Sequence, residues 1–172
     1  MDILDTLVNR RSVKKYTDQV VDDASLEKII TAGLYAPSGK NGQRVMMMVV
    51  KNRELVKKLS KLNSSIMGLD IDPFYNAPVV VVVFADRNYS TYLEDGSLVL
   101  GNMMNEAFSI GVDSCWIHRA KEMFELPEGR AIAKANGIPD EYIGIGNCIL
   151  GYRSGAYPEA KPRREGRVII VE

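Results

Sequence analysis

The sequence predicts an α+β domain, a sheet flanked by helices on its faces. Three observations carry this. Val79–Phe84 is five valines and a phenylalanine with no polar face, the pattern of a strand buried on both sides. Helical and strand periodicities alternate along the chain without the regular βαβαβ order of a doubly wound fold. The chain has 172 residues, the size of one domain over residues 1–172, with 46% apolar and 26% charged residues.

Taken in order, Asp2–Asn9 reads as a short helix, with Ile3, Leu4 and Leu7 at helical spacing. A polar, basic segment follows over Arg10–Tyr16. Asp22 is placed to cap the next helix, and Leu26, Ile29, Ile30 and Leu34 form its apolar face. Pro37 ends it, and Ser38–Gln43 is a Gly- and Asn-rich loop. Val45–Val50 reads as a buried strand and Glu54–Leu62 as a short amphipathic helix. Asn63–Asn76 has weak periodicity, Gly68 and Pro73, and reads as a mobile connection.

Leu93–Ile110 is the longest predicted helix, presenting Leu100, Met103, Met104, Ala107 and Phe108 to a core, with Gly111 as its cap. Ser114–Ile117 is a short strand. Lys121–Phe124 and Glu128–Ala135 are helical, the second opened by Pro127 and closed by Asn136-Gly137. Ile143–Leu150 is a strand, Tyr152–Arg167 an irregular basic stretch, and Val168–Val171 a candidate final strand.

Composition narrows the function. Lys plus Arg and Asp plus Glu are 22 each, so the net charge is zero, against a whole-surface nucleic-acid or anionic-membrane binder. The longest apolar run, Ala77–Ala85, is less than half the roughly 20 residues of a membrane span. The N-terminus has no signal-peptide pattern, and Cys115 and Cys148 form no CxxC, so a cytoplasmic location is expected. His118 is the single histidine, no GxSxG or P-loop is present, and no metal-ligand spacing occurs. Gly144-Ile145-Gly146 lacks the third glycine of a dinucleotide fingerprint.

Two basic clusters remain: Arg10, Arg11, Lys14 and Lys15, and Lys161, Arg163, Arg164 and Arg167. Alone, each reads as a solvated face. Arg10-Arg11-Ser12, however, sets two guanidinium forks beside a hydroxyl, a combination suited to phosphate oxygens. Meeting in the fold, the clusters would clamp one phosphate ester. The Ala36–Gln43 loop adds polar side chains or is simply a helix-to-strand turn, and Cys115-Trp116-Ile117-His118 pairs the single tryptophan with the single histidine.

In this order the motifs resemble the FMN-dependent nitroreductase family. The matching pieces are Arg10–Tyr16, Ala36–Gln43, Asp95-Gly96 opening the long helix, Ser114–Ile117, and Leu150-Gly151-Tyr152 leading to Lys161-Pro162-Arg163. The resemblance implies a helix-flanked mixed or antiparallel sheet and a homodimer with FMN at the subunit interface. It points to Arg10, Arg11 and Ser12 for the phosphate and ribityl chain, with Lys161 and Arg163 completing the phosphate site. Lys14 would lie toward the pyrimidine edge. Pro37, Ser38, Asn41 and Gln43 would come from the partner subunit, and Cys115, Trp116, Ile117 and His118 would run along the ring. The chemistry would be the cofactor's, so no catalytic side chain is named. The implied activity is reduction of nitroaromatics, quinones or related electrophiles by NADH or NADPH with ping-pong kinetics. The alternative is an FMN-binding storage or sensor module with little turnover. Neither reading calls for a nucleic acid, membrane or metal. Arg44-Val45 stand where family members often have Pro-Trp, Lys14 replaces a common arginine, and the chain is short for the family, which leaves Asn63–Tyr75 as the candidate for a small lid or as a plain connector.

Overall fold

A computed structural model describes residues 2–172. Helix α1 (Ile3–Asn9) is capped by the Asp2 side chain, which accepts from the Ile3 N–H. Helix α2 (Asp23–Leu34) follows, with the Asp22 carboxylate accepting from the Ser25 N–H and hydroxyl at 2.8 Å each. Those hydrogen bonds, the backbone one foremost, hold the Asp22 carboxyl below its usual range.

Strand β1 (Val45–Val50), helix α3 (Arg53–Met67), strand β2 (Val79–Asp86) and helix α4 (Tyr92–Ser109) come next. Strand β3 (Asp113–Ile117), helices α5 (Ala120–Glu125) and α6 (Pro127–Ala135), and strand β4 (Tyr142–Gly151) complete the order. The sheet order is β1-β2-β4-β3 and every neighbouring pair is antiparallel. The expected α+β architecture is therefore present, with the antiparallel form of the sheet.

All eight residues of β2 are buried, as its apolar run demands. Alternation then divides them. Val80, Val82 and Phe84 join Leu59 of α3 and Met123 and Phe124 of α5 in one layer. Val79, Val81 and Val83 join Ile29 of α2 and Leu100 and Met103 of α4 in the other. The strand thus lies in the middle of a helix–sheet–helix sandwich. Phe84 and Phe124 pack edge to face at 4.7 Å. A bulge places Val83 opposite Gly146 and Phe84 opposite Gly144, leaving Ile145 as the extra residue. Gly146 lets the Trp116 indole close in: a Cβ there would stand 2.5 Å from its ring nitrogen.

Three expectations need correction. Helix α3 continues five residues past Leu62, because Asn63 and Ser64 are buried against the core, and Gly68 ends it in the left-handed region at φ +63°. The expected mobile connection is correspondingly shorter and is knotted. The Asp72 carboxylate accepts from the Ser60 hydroxyl and from the Phe74 and Asn76 N–H groups, and Phe74 is 1% exposed. Val168–Val171 forms no strand within the chain; the arm leaves the body with these four residues 80–89% exposed. In addition, Leu34 lies outside the core at 62% exposure, because α2 turns only Leu26, Ile29 and Gly33 fully inward.

Candidate functional site

The first half of the site begins where α1 stops. From Arg10 the chain runs extended beside the free edge of β3, with Ser12 bridged to Ser114 and the Val13 N–H donating to the Ser114 carbonyl at 3.0 Å. Extended backbone alternates its side chains. Val13 goes inward between the outward Ser12 and Lys14, and the alternation then breaks at the exposed Lys15 so that Tyr16 is buried as well. The other side of the segment is sewn to the stretch after β4: the Thr17 N–H donates to the Tyr152 carbonyl at 2.8 Å and the Ser154 N–H to the Lys15 carbonyl at 2.9 Å. Asp113 fixes that stretch by accepting from the Arg153 N–H at 2.9 Å and pairing with its guanidinium at 3.2 Å.

Arg10, Ser12, Lys14 and Cys115 are brought together by this arrangement. Burial pushes the Cys115 thiol up, with the Ser12 hydroxyl and the Lys14 and Arg10 charges pulling the other way. Arg10 Nη1 is buried without a hydrogen-bond partner among the described residues. A charged donor in that position is matched by an anionic acceptor. Lys14 Nζ lies 5.9 Å from the centroid of the Tyr75 ring. Tyr75 and Asn76 both have left-handed backbones, at φ +53° and +60°, held by the Asp72 knot. Sequence reasoning did not single out Tyr75, because its placement depends on that knot.

Arg11 is spent differently. Its Nη1 donates to the Val8 and Arg10 carbonyls at 2.8 Å each, closing the end of α1, and its N–H donates to the Tyr157 hydroxyl at 2.6 Å. Within one chain its guanidinium is turned back onto the helix rather than set beside Ser12.

The second half is the Pro37–Gln43 loop. The Asp95 carboxylate, in the first turn of α4, accepts from the Gly39 N–H at 2.9 Å and from the Thr91 hydroxyl at 3.2 Å. The Ser38 hydroxyl accepts from the Gln43 N–H at 3.1 Å, and Gln43 Nε2 donates to Asn41 Oδ1 at 3.1 Å. Lys40, Asn41 and Gln43 all have φ of +51° or +52°, costly for side-chain-bearing residues and persistent only where the surroundings impose them. The loop borders a cavity of about 610 Å³ lined by Tyr35, Pro37, Ser38, Asn41, Gln43 and Asp95, with Met47 and Val99 behind. Asp95 is the residue that organises this half.

The Cys115–His118 segment divides by alternation. Cys115 and Ile117 enter the layer of α3 and α5, Trp116 packs into the layer of α4, and His118 is exposed at the end of β3. The Trp116 side chain therefore cannot share a face of the strand with Cys115 and Ile117. Lys161 and Arg163 lie on the exposed arm and make no ion pair among the described residues. Within one chain neither is joined to Arg10, and no hydrogen bond or ion pair among the described residues links the loop to the Arg10–Lys14 segment.

Residues 7–68 match the family model described as the nitroreductase family. A relative from Archaeoglobus fulgidus, named "Putative NADH dehydrogenase/NAD(P)H nitroreductase", is 30% identical over 159 residues, 88% of this chain and 85% of the relative. The chain belongs to the nitroreductase family. An FMN reductase (NAD(P)H) from Bacillus subtilis is 36% identical over 87% of this chain, which spans 54% of that longer protein. Among solved structures, a nitroreductase with bound FMN from Bacteroides fragilis superposes with a TM-score of 0.93 at 28% identity, each chain covered in full. The nitroreductase fold expected from the motif order is therefore the fold present.

Proposed function

We propose that this nitroreductase-family chain is a homodimeric, FMN-dependent NAD(P)H oxidoreductase acting as a single domain. The observation that carries the reading is the Arg10–Ser12–Lys14 edge with its unpartnered buried guanidinium nitrogen. A phosphate ester of net negative charge fits that donor set, as a neutral ligand does not. The FMN-bound Bacteroides relative of the same fold supports the choice of ligand.

Arg10 and Ser12 hold the phosphate and ribityl chain, Lys14 sits toward the pyrimidine edge, and Cys115–His118 borders the ring. Pro37, Ser38, Asn41 and Gln43 reach the cofactor from the partner subunit, and Lys161 and Arg163 close the phosphate end. The exposed apolar surface supports the dimer. Ile3, Leu4, Leu7 and Val8 of α1, Tyr35, and the Val168–Val171 arm are each at least half exposed in the isolated chain. Surface of this kind marks association sites.

Bound FMN supplies hydride acceptance from NAD(P)H and electron donation to a second substrate. The protein's part is to anchor the phosphate, bring a cation to the pyrimidine edge and exclude water with its apolar lining. A single cofactor site of this kind would serve donor and acceptor in turn, which would give ping-pong kinetics. The Met47 and Val99 lining suits flat conjugated acceptors such as quinones and nitroaromatics. The two free, buried thiols suit the reducing cytoplasm, and no helix among the described residues is long and apolar enough to cross a membrane.

The test is a visible spectrum of the purified protein followed by anaerobic addition of NADPH or NADH. A flavin band that bleaches and returns on adding a quinone supports the reductase. A flavin that stays oxidised selects the storage or sensor alternative. A colourless protein that FMN does not reconstitute refutes both.

A further inference from the structure

Two side-chain amides with no solvent exposure sit together behind the end of β3. Asn63, on α3, donates its Nδ2–H to the His118 carbonyl at 2.7 Å. Asn147, on β4, donates to the Ile117 carbonyl at 3.2 Å and to the His118 carbonyl at 3.4 Å. Both Nδ2 atoms also approach Met123 Sδ of α5, at 3.1 and 3.5 Å. Helix α3 and strand β4 thus converge on the His118 carbonyl, with Met123 of α5 set against both amides.

The arrangement is not an economical way to fill a core. Neither Asn63 Oδ1 nor Asn147 Oδ1 has a partner among the described residues. Each buried, unpaired acceptor costs about 1–3 kcal/mol, a penalty that a leucine of similar volume does not carry. What the two amides do secure is the turn. Arg119, directly after His118, stands at φ +71° and is neither glycine nor asparagine. A residue in that region costs about 1–3 kcal/mol and stays there only when its surroundings leave no alternative. The neighbouring Gly144 completes the restraint, since a Cβ there would lie 2.4 Å from the Ala120 carbonyl oxygen.

We infer that Asn63 and Asn147 form a buried amide clamp that fixes the His118–Arg119 turn and so positions the Cys115–His118 segment against the flavin ring. Both are positioning residues, acting through the His118 carbonyl and touching neither cofactor nor substrate. This rests on the FMN reading above. The clamp is preorganised in the chain itself, and Asn63, with the shorter hydrogen bond, carries the larger share.

Asn63→Leu and Asn147→Leu, made singly, each leave one amide on the carbonyl. Each is to be measured for thermal unfolding, FMN dissociation constant and midpoint potential of the bound flavin. The expected result is cooperative unfolding, a roughly tenfold weaker FMN affinity for Asn63→Leu, a smaller loss for Asn147→Leu, and a shifted potential in both. Folded variants that keep the wild-type affinity and potential, and differ only in melting temperature, would make the amides purely structural and overturn the clamp. Wild-type protein that fails to bind FMN overturns the FMN reading itself and is seen before any variant is made. A wild-type measurement covers variants that do not fold: the side-chain amide resonances of Asn63 and Asn147 are expected to move when FMN is added to the apoprotein. Resonances that stay in place refute the coupling.

Discussion

Gly39→Ala probes the loop half of the site most directly. A Cβ at this position would stand 2.3 Å from Thr91 Oγ1 and 3.0 Å from both Thr91 Cβ and Cγ2. Ordinary contact between such atoms begins near 3.5 Å, so the loop or the threonine must retreat by about 1 Å. Neither retreats freely. Rotating Thr91 breaks its 3.2 Å hydrogen bond to Asp95, and lifting the loop stretches the 2.9 Å bond from the Gly39 N–H to the same carboxylate. Overpacking of this kind costs about 1–3 kcal/mol. If about 2 kcal/mol of that falls on the FMN-bound arrangement, affinity drops roughly 30-fold. The assay is titration of apoprotein with FMN, following flavin fluorescence, beside a thermal melt. Thr91→Ala removes Oγ1, the closest clash, and Cγ2 but keeps the Cβ contact at 3.0 Å, so the double variant should regain part of the lost affinity. A folded Gly39→Ala protein with wild-type FMN affinity would refute the loop's role as a flavin wall. Failure of Thr91→Ala to restore any affinity would refute the steric account.

Two further outcomes are expected. Ile169→Asp with Val171→Asp should shift the protein from dimer to monomer in sedimentation at micromolar concentration, because these side chains are 87% and 89% exposed in the isolated chain; an unchanged dimer would place the interface elsewhere. Burial pushes the Cys148 thiol up to about 12 from an ordinary value of 9, so the folded state keeps a proton that the unfolded chain releases. Its stabilising contribution is complete below pH 9 and declines as pH rises from 9 toward 12, by about 1.4 kcal/mol per unit for this thiol. Urea midpoints measured across that range check it, and midpoints that rise with pH would contradict the assignment.

Much of this architecture is written in local pattern. The Val79–Phe84 run announces a strand with two covered faces, and the Asp22, Gly111 and Pro127 signals mark helix ends that the structure reproduces. Outcomes that depend on distant partners are less legible. Asn63 and Ser64 are polar, and nothing in their local pattern tells that the core covers them or that Asn63 bonds a carbonyl 55 residues away. Asp72 reads as one acid in a weakly periodic stretch until its three donors are in place. The Arg10–Lys14 cluster from which the candidate site is built was legible as a motif, whereas the retreat of Arg11 to the end of α1 was not, since either arginine of the pair has the same chemistry. The Asp95 role shows the converse: its place in the first turn of a long helix was visible, and the Gly39 contact that gives it meaning spans 56 residues.

The burial of β2 on both faces also has a consequence during synthesis. Its five consecutive valines and a phenylalanine, uncharged and free of proline, have the composition of a segment that pairs readily with other chains when exposed. One edge is satisfied early, since β1 precedes it. The other waits for β4, which begins about 60 residues later, an interval of roughly 3–12 s at typical elongation rates. Over that interval the nascent chain carries an open, apolar strand edge. Slowing the ribosome between α4 and β4 should therefore lower soluble yield without altering any residue of the finished protein.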